Sequence, residues 1–402
     1  MLGPILQARP RVRSALLDYK GFQGEVWAIA EGTPVFAGFG WRRDGHPLMI
    51  GDRPMKLHTP LMNVRTDMIT AKLIETPWLS FINYMSMVAS KAARVVEAAK
   101  GKPVLEFGQR RTHPEAAVDA SWAAYVAGCT ATSNMEAWYR FAIPAVGTMD
   151  HFMVMAGERD GLSKAESEFL AFSDFYTTFP NDAILLVDTY NVAQGIDNAV
   201  RATNGKLKGI RLDSNVTHHN VEQAKAQLRL LGAPDAQVFV SDGLDEFKVD
   251  ALCDVADGFG VGENIVCSPD SAVGIGAVAK LTRNGYGRAV MKISAGSEKM
   301  TLPGDIQVYR HHDYDYLALM EEPVTSGVPL LEKVWDEGGA RYTPGATAVT
   351  AARATLKAEL ASLPEEIKML GPCTARRLVV SDALAELIEK TAAQEGSRHE
   401  PR

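Results

Sequence analysis

From Lys102 onward the chain repeats one pattern, and that pattern constrains the fold more than any other feature. Short apolar runs recur at 104–107, 142–146, 184–187, 209–212, 238–240, 258–261 and 289–293. Between most of them lie amphipathic stretches at helical spacing, such as 221–231 and 245–254. Apolar runs of this length read as buried strands, and strands that alternate with helices are joined in parallel. This many β/α units can close into a barrel, with an open doubly wound sheet as the competing fold. Two features favour the barrel. No GxGxxG turn opens the first unit, and polar residues follow the strands at Arg110, His151, Asp188, Asp213, Ser241 and Gly262, where a barrel assembles its chemistry.

The two ends of the chain read differently. Residues 20–65 are rich in β-branched and aromatic residues broken by Gly and Pro, which suggests short strands. Residues 73–99 carry apolar residues at helical spacing. Past Pro303 the alternation fades, 309–316 is polar and aromatic, and 351–363 and 381–392 read as helices. The expected organisation is an irregular α/β barrel over 101–302 and an α+β domain built from 1–100 and 303–402. A length of 402 residues suits one large domain plus a smaller one.

Composition narrows the function classes. A net charge of −7 gives no global basic field for nucleic acid or acidic lipid. The four cysteines, Cys129, Cys253, Cys267 and Cys373, form no CxxC pair, so a zinc site or disulfide framework is not expected and free thiols are. No apolar run reaches the roughly 20 residues that span a bilayer, and residues 1–13 lack the pattern of a signal peptide. A cytoplasmic protein without membrane or nucleic-acid partners is expected.

Each strand-end segment admits a chemical and a structural reading. After Phe107, Arg110 and Arg111 offer planar forks for carboxylate or phosphate, or a salt bridge at a helix start. His151 follows Gly147 and Asp150 and can act as base, nucleophile or phosphate acceptor, although a lone histidine is more often structural. Asp188 ends a buried strand, where an acid is costly unless paired or used; it can equally cap the helix that starts near Asn191. Arg211 and Asp213 stand two apart, hence on one strand face, as phosphate and ribose ligands or as a structural pair. The glycine-rich turn at Gly258, Gly260 and Gly262, and Ser241, Asp242 and Gly243 one unit earlier, present backbone N–H groups that can cradle phosphate.

Taken together, these segments resemble the nicotinate phosphoribosyltransferase family. The resemblance runs in register from Val26 to Arg310. It rests on 76–83, 106–111, Thr132 with Ser133 and Asn134, 147–151, 187–191, 209–214, 241–246, 259–264 with 268–270, 291–294, 302–304 and 307–310. It implies a type II phosphoribosyltransferase fold, a homodimer with active sites at the subunit boundary, and the joining of nicotinate to phosphoribosyl pyrophosphate with Mg²⁺ and ATP. It further implies that Phe107 stacks the pyridine ring and that Arg110, Thr132 and Ser133 bind the substrate. Arg211 and Asp213 would hold the ribose phosphate, and Ser241, Asp242, Gly243, Gly260 and Gly262 would line its phosphate loop. His151 matches the histidine that ATP phosphorylates, with Asp188 orienting it; no resident protein-held metal is expected.

The sequence departs from the family in places. The usual Thr-Asp-Leu-Tyr-like opening has no counterpart before residues 12–19. Asn215 and Val216 stand where Gly and Asp are usual, with Asn215 able to take the left-handed conformation of a Gly. Ala131 replaces a Gly, and Glu263 replaces a Thr. Ser133 stands where the related nicotinamide enzyme carries an Asp that would repel a carboxylate, so Ser133 favours the acid. The rival readings are another base, a catalytically weak pyridine-nucleotide binder, or an aldolase-like barrel with Lys292 as a Schiff base.

Overall fold

The computed structural model describes residues 19–267, 276–293, 300–371 and 376–396. Of the expected features, the opening near residues 12–18, the 268–270 and 294 matches and Cys373 lie outside these. The chain divides into two compact units, one of 1–83, 276–344 and 358–402, the other of 84–275 and 345–357.

The second unit is built on one parallel sheet of six strands: Val104–Glu106 (β1), Ala131–Thr132 (β2), Ile184–Leu186 (β3), Gly209–Leu212 (β4), Gln237–Val240 (β5) and Gly258–Val261 (β6). Their order is β2-β1-β6-β5-β4-β3, so β1 lies between β2 and the last strand, β6. The register is continuous: Ile210 faces Leu185 on one side and Val238 on the other, and Leu105 faces Gly260. Leu185, Leu186, Ile210, Val238, Val240, Phe259 and Val261 are sealed from solvent, which is why these strands read as unbroken apolar runs. Each such side chain stabilises the fold by roughly 1.5–3 kcal/mol. The helices between strands bury their inner faces through Phe172, Ile196, Val221, Leu228 and Val249. Among the described residues β2 and β3 do not pair, and the sheet is a curled half-barrel.

Two of the seven expected strands do not form. Residues 142–146 make only a single bridge, Ala145 to Thr132, because Pro144 has no N–H to donate and Ala142 sits at φ 53°. Residues 289–293 carry no strand and belong to the first unit, where Met291 joins the core.

The first unit draws its sheets from both ends of the chain. Gly24–Ile29 lies between Met62–Thr66 and Leu331–Asp336, and Ala37–Arg42 pairs with Arg377–Val380. Asp315, fully buried, binds Arg310 and Arg376 there, a desolvated cluster held by several charge-assisted hydrogen bonds. Unlike the expected boundaries at 100 and 303, the division falls inside the helix Met68–Ala98 and at 275. The later half of that helix buries Val88, Ala92 and Val95. Residues 345–357 join the second unit, because Val349 and Ala352 pack with Trp122 and Ile143, and Arg353 donates to the carbonyls of Gly128 and Cys129.

Candidate active site

Four of the candidate residues, Phe107, Arg211, Ser241 and Gly260, line one cleft. Successive side chains of a strand point to opposite faces. Leu105 of β1 and Phe107 just past it, Arg211 of β4, Phe239 of β5 and Ser241 just past it, and Gly260 of β6 line the same narrow opening. Gly260 lets the aromatic ring in: a Cβ there would sit 2.6 Å from the Phe107 ring. The main chain at Phe107 is fixed by the backbone bond from its N to Val261 O, 2.8 Å.

Arg211 and two carboxylates form the charged centre. The Nε of Arg211 is buried without a hydrogen-bond partner, and so is Oδ1 of Asp188. Burial pulls the Arg211 guanidinium below its usual range, against the opposing pull of Asp213, Asp188 and Asp150. Asp188 is almost fully buried, and its Oδ2 accepts the backbone N–H of Asp213 at 2.7 Å. Asp213 in turn accepts a short hydrogen bond from the Ser241 hydroxyl. These bonds lock the ends of β3, β4 and β5 together.

His151 opens the helix His151–Ala156, and Asp150 caps it by accepting from Met153 N at 2.8 Å. Its ring enters the same cluster. Nδ1 lies 3.1 Å from the Thr189 hydroxyl, and Nε2 lies 3.5 Å from Asp213 and 3.8 Å from Asp188. Asp188, expected to orient the ring, stands 3.8 Å from it, and the hydrogen bond to the ring comes from Thr189.

Two further candidates make internal hydrogen bonds. Thr132 is buried, and its hydroxyl donates to Glu106 at 2.6 Å and accepts from Asn134 N at 3.0 Å, so it is committed to the protein rather than offered to a substrate. The Asp242 carboxylate accepts from Val216 N at 3.0 Å and so fastens the turn after β4, a better use than facing a phosphate of like charge. In that turn Asn215 does adopt a left-handed conformation, φ 49°. The turn at Gly243 is pinned by Lys248 at 3.0 Å, and Asn264 anchors Leu244 O at 3.0 Å. Glu263, beside Gly262, faces Arg111 at 3.6 Å, which offsets its charge. Arg110 stands exposed in the turn Gln109–Arg111, and Ser133 is half-buried beside it, its carbonyl accepting from Gln109 at 3.1 Å.

Sequence reasoning missed Thr189, Asn264 and Glu106. Only Glu106 left a signal, an acid inside an apolar strand. Lys292 is exposed and lies in the first unit. Among the described residues no group of three or more His, Cys, Asp or Glu could hold a metal. The orphan Oδ1 of Asp188 with Asp213 suits instead a hard cation that takes most of its ligands from substrate phosphates and water.

The family model of the nicotinate phosphoribosyltransferase (NAPRTase) family matches residues 103–317, more than half of the chain. The chain belongs to the nicotinate phosphoribosyltransferase family. A Mycobacterium tuberculosis nicotinate phosphoribosyltransferase is 33% identical over 364 residues, covering 87% of this chain and 71% of the relative. The Bacillus subtilis nicotinate phosphoribosyltransferase is 36% identical over 288 residues, covering 66% of this chain and 56% of its own length. The fold matches that of human nicotinic acid phosphoribosyltransferase with a TM-score of 0.74 at 22% identity, covering 97% of this chain and 87% of that one. Nicotinate-nucleotide pyrophosphorylase from Pyrococcus furiosus shares the fold at TM-score 0.65 and 22% identity, covering 89% and 94%. The family match spans the whole parallel sheet, and every site residue discussed above falls inside it.

Proposed function

We propose that this member of the nicotinate phosphoribosyltransferase family joins nicotinate to phosphoribosyl pyrophosphate, forming nicotinate mononucleotide and pyrophosphate in NAD salvage. The observation that carries the reading is Arg211, whose buried, unpartnered Nε shares a cleft with Phe107 and lies in the field of Asp188 and Asp213. A desolvated guanidinium is costly until an anion reaches it, and its planar fork suits phosphate. Phe107 supplies a flat face for the pyridine ring, and exposed Arg110 a fork for its carboxylate. The backbone N–H groups near Gly243, Gly260 and Gly262 receive the 5′-phosphate, and Asp213, held by the Ser241 hydroxyl, the ribose hydroxyls.

The ring nitrogen then donates its lone pair to the anomeric carbon as the bond to pyrophosphate breaks and that electron pair leaves with the phosphate oxygen. Fixed groups aimed at developing charge lower this barrier. Mg²⁺ beside Asp188 and Asp213 would neutralise the departing pyrophosphate. ATP coupling runs through His151. With Nδ1 donating to Thr189, Nε2 keeps its lone pair and takes the γ-phosphoryl group while ADP leaves. We place the enzyme in the cytoplasm, in keeping with the free thiols of Cys129, Cys253 and Cys267. We also place it in a homodimer. The short helices Met135–Phe141 and His151–Ala156 expose Trp138, Tyr139 and Phe152, side chains that suit a partner surface.

The test is an assay of the purified chain with phosphoribosyl pyrophosphate and Mg²⁺, nicotinate or nicotinamide, with and without ATP. One pyrophosphate per nicotinate mononucleotide, faster with ATP, is expected. Turnover of nicotinamide in preference to nicotinate, or no mononucleotide from either, overturns the reading. His151→Ala should remove ATP stimulation and acid-labile labelling by ATP while leaving a slower transfer. Equal labelling in both proteins would remove His151 from the coupling.

A further inference from the structure

Beneath the cleft lies a buried carboxylate that the proposed chemistry does not use. Glu106 is 1% exposed and alternates with Leu105 and Phe107, so it faces away from the cleft, toward the helix Pro114–Val126. Its Oε1 accepts a short hydrogen bond from Gly108 N. Its Oε2 accepts from Ser121 at 2.9 Å and from Thr132 at 2.6 Å. The backbone repeats the tie, since Ser133 N donates to Glu106 O at 3.0 Å. The Thr132 hydroxyl then accepts Asn134 N at 3.0 Å, and Asn134 caps the next helix through Glu136 N and Ala137 N. Gly108 fits this node for a steric reason: a Cβ there would lie 2.9 Å from Glu106 Oε1 and 2.4 Å from Val266.

One side chain thus joins the two segments that carry Phe107 with Arg110 and Ser133. An ionised carboxylate is acceptor-only, and three donors converge on this one, two hydroxyls and an amide. We propose that Glu106 is a positioning residue for the nicotinate half of the site, setting the 107–111 turn and the 132–134 turn relative to each other through Gly108 and Thr132. It touches no substrate. Its effect therefore falls on the base and not on phosphoribosyl pyrophosphate, whose ligands stand on β4, β5 and β6. The inference rests on the nicotinate reading of this cleft.

Three variants test it. Thr132→Val keeps the shape and deletes the hydroxyl that links the two turns. Glu106→Ala deletes all three bonds. Glu106→Gln can restore them, with its carbonyl on Gly108 N and its amide donating to both hydroxyls, Ser121 then donating to Ala117 O, 3.0 Å away, and Thr132 to Ser121 Oγ, 3.1 Å away. Thr132→Val should raise the KM for nicotinate by about tenfold, the loss of one hydrogen bond to a charged group, with the KM for phosphoribosyl pyrophosphate unmoved. Glu106→Gln should lie closer to wild type than Glu106→Ala. Amide hydrogen exchange at Gly108, Ser133 and Asn134 should quicken together in Thr132→Val, while sites on β4 and β5 keep their protection. Equal rises in both KM values, or exchange that quickens at Asn134 alone, would overturn the inference. Exchange also separates the two readings. If wild type turns over no nicotinate, the function fails, yet a joint loss of protection still upholds the tie between the turns. If Glu106→Ala does not fold, Thr132→Val and Glu106→Gln decide.

Discussion

At the scale of single residues, the site is defined by what is left unpaired. Most buried polar groups of the second unit find partners: Thr132 finds Glu106, Asp242 finds Val216 N, and Asp213 finds Ser241. The Nε of Arg211 and Oδ1 of Asp188 do not, nor does Oε1 of Glu168 on the helix Lys164–Thr178; the first two share one charged cluster, where a ligand can complete them. Arg211→Lys is the direct probe. Lysine keeps the charge and loses the planar fork, so binding of phosphoribosyl pyrophosphate should weaken by about 1.5–3 kcal/mol, seen as a raised KM. The melting temperature should hardly move, because no hydrogen bond from Arg211 Nε to the protein is lost. An unchanged KM for that substrate would take Arg211 out of the site.

Elements are held in register by a few buried ion pairs. Lys91 on the helix Met68–Ala98 lies 2.6 Å from Glu246 at the start of the helix Glu246–Leu252, both almost fully buried, and Arg94 reaches the other carboxylate oxygen at 2.9 Å. Burial alone would raise the Glu246 pKa, but the hydrogen bonds from Lys91 and Arg94 win and hold it below its usual 4.5. A depressed folded pKa means that the stabilisation is present above 4.5 and is lost as pH falls through the folded value. Glu246→Gln should therefore cost on the order of 3 kcal/mol near neutral pH, since a buried cation loses its counter-charge. In urea melts the gap from wild type should close in acid, below 4.5. A gap that is constant from pH 7 to pH 3 would mean that the charge on Glu246 does not matter.

For the whole molecule, the open question is assembly. The exposed Trp138, Tyr139 and Phe152 stand 50%, 79% and 78% accessible on short helices of the second unit, aromatic side chains of the kind that interfaces enrich. Light scattering at micromolar concentration should give twice the 43.6 kDa chain mass. Tyr139→Glu together with Phe152→Glu should shift it to one chain mass. A monomeric wild type would sink the dimer.

Sequence alone determined the parallel β/α order, because buried strands between helices must read as short apolar runs, and β1 and β3 through β6 lie where those runs are. It likewise placed Phe107, Asp188 and Asp213 just past strands and Arg211 within one, since local order sets which residue follows a strand; the run before His151 forms only a bridge. It could not decide strand number or partners. Pro144 broke one run, and 289–293 was apolar because it packs in the other unit's core, a burial that looks the same in sequence as burial in a sheet. Nor could it tell a ligand contact from an internal one. Thr132 and Asp242 carry the right chemistry, but their partners Glu106 and Val216 are 26 residues away in each case, and only the packed fold brings them within a hydrogen bond.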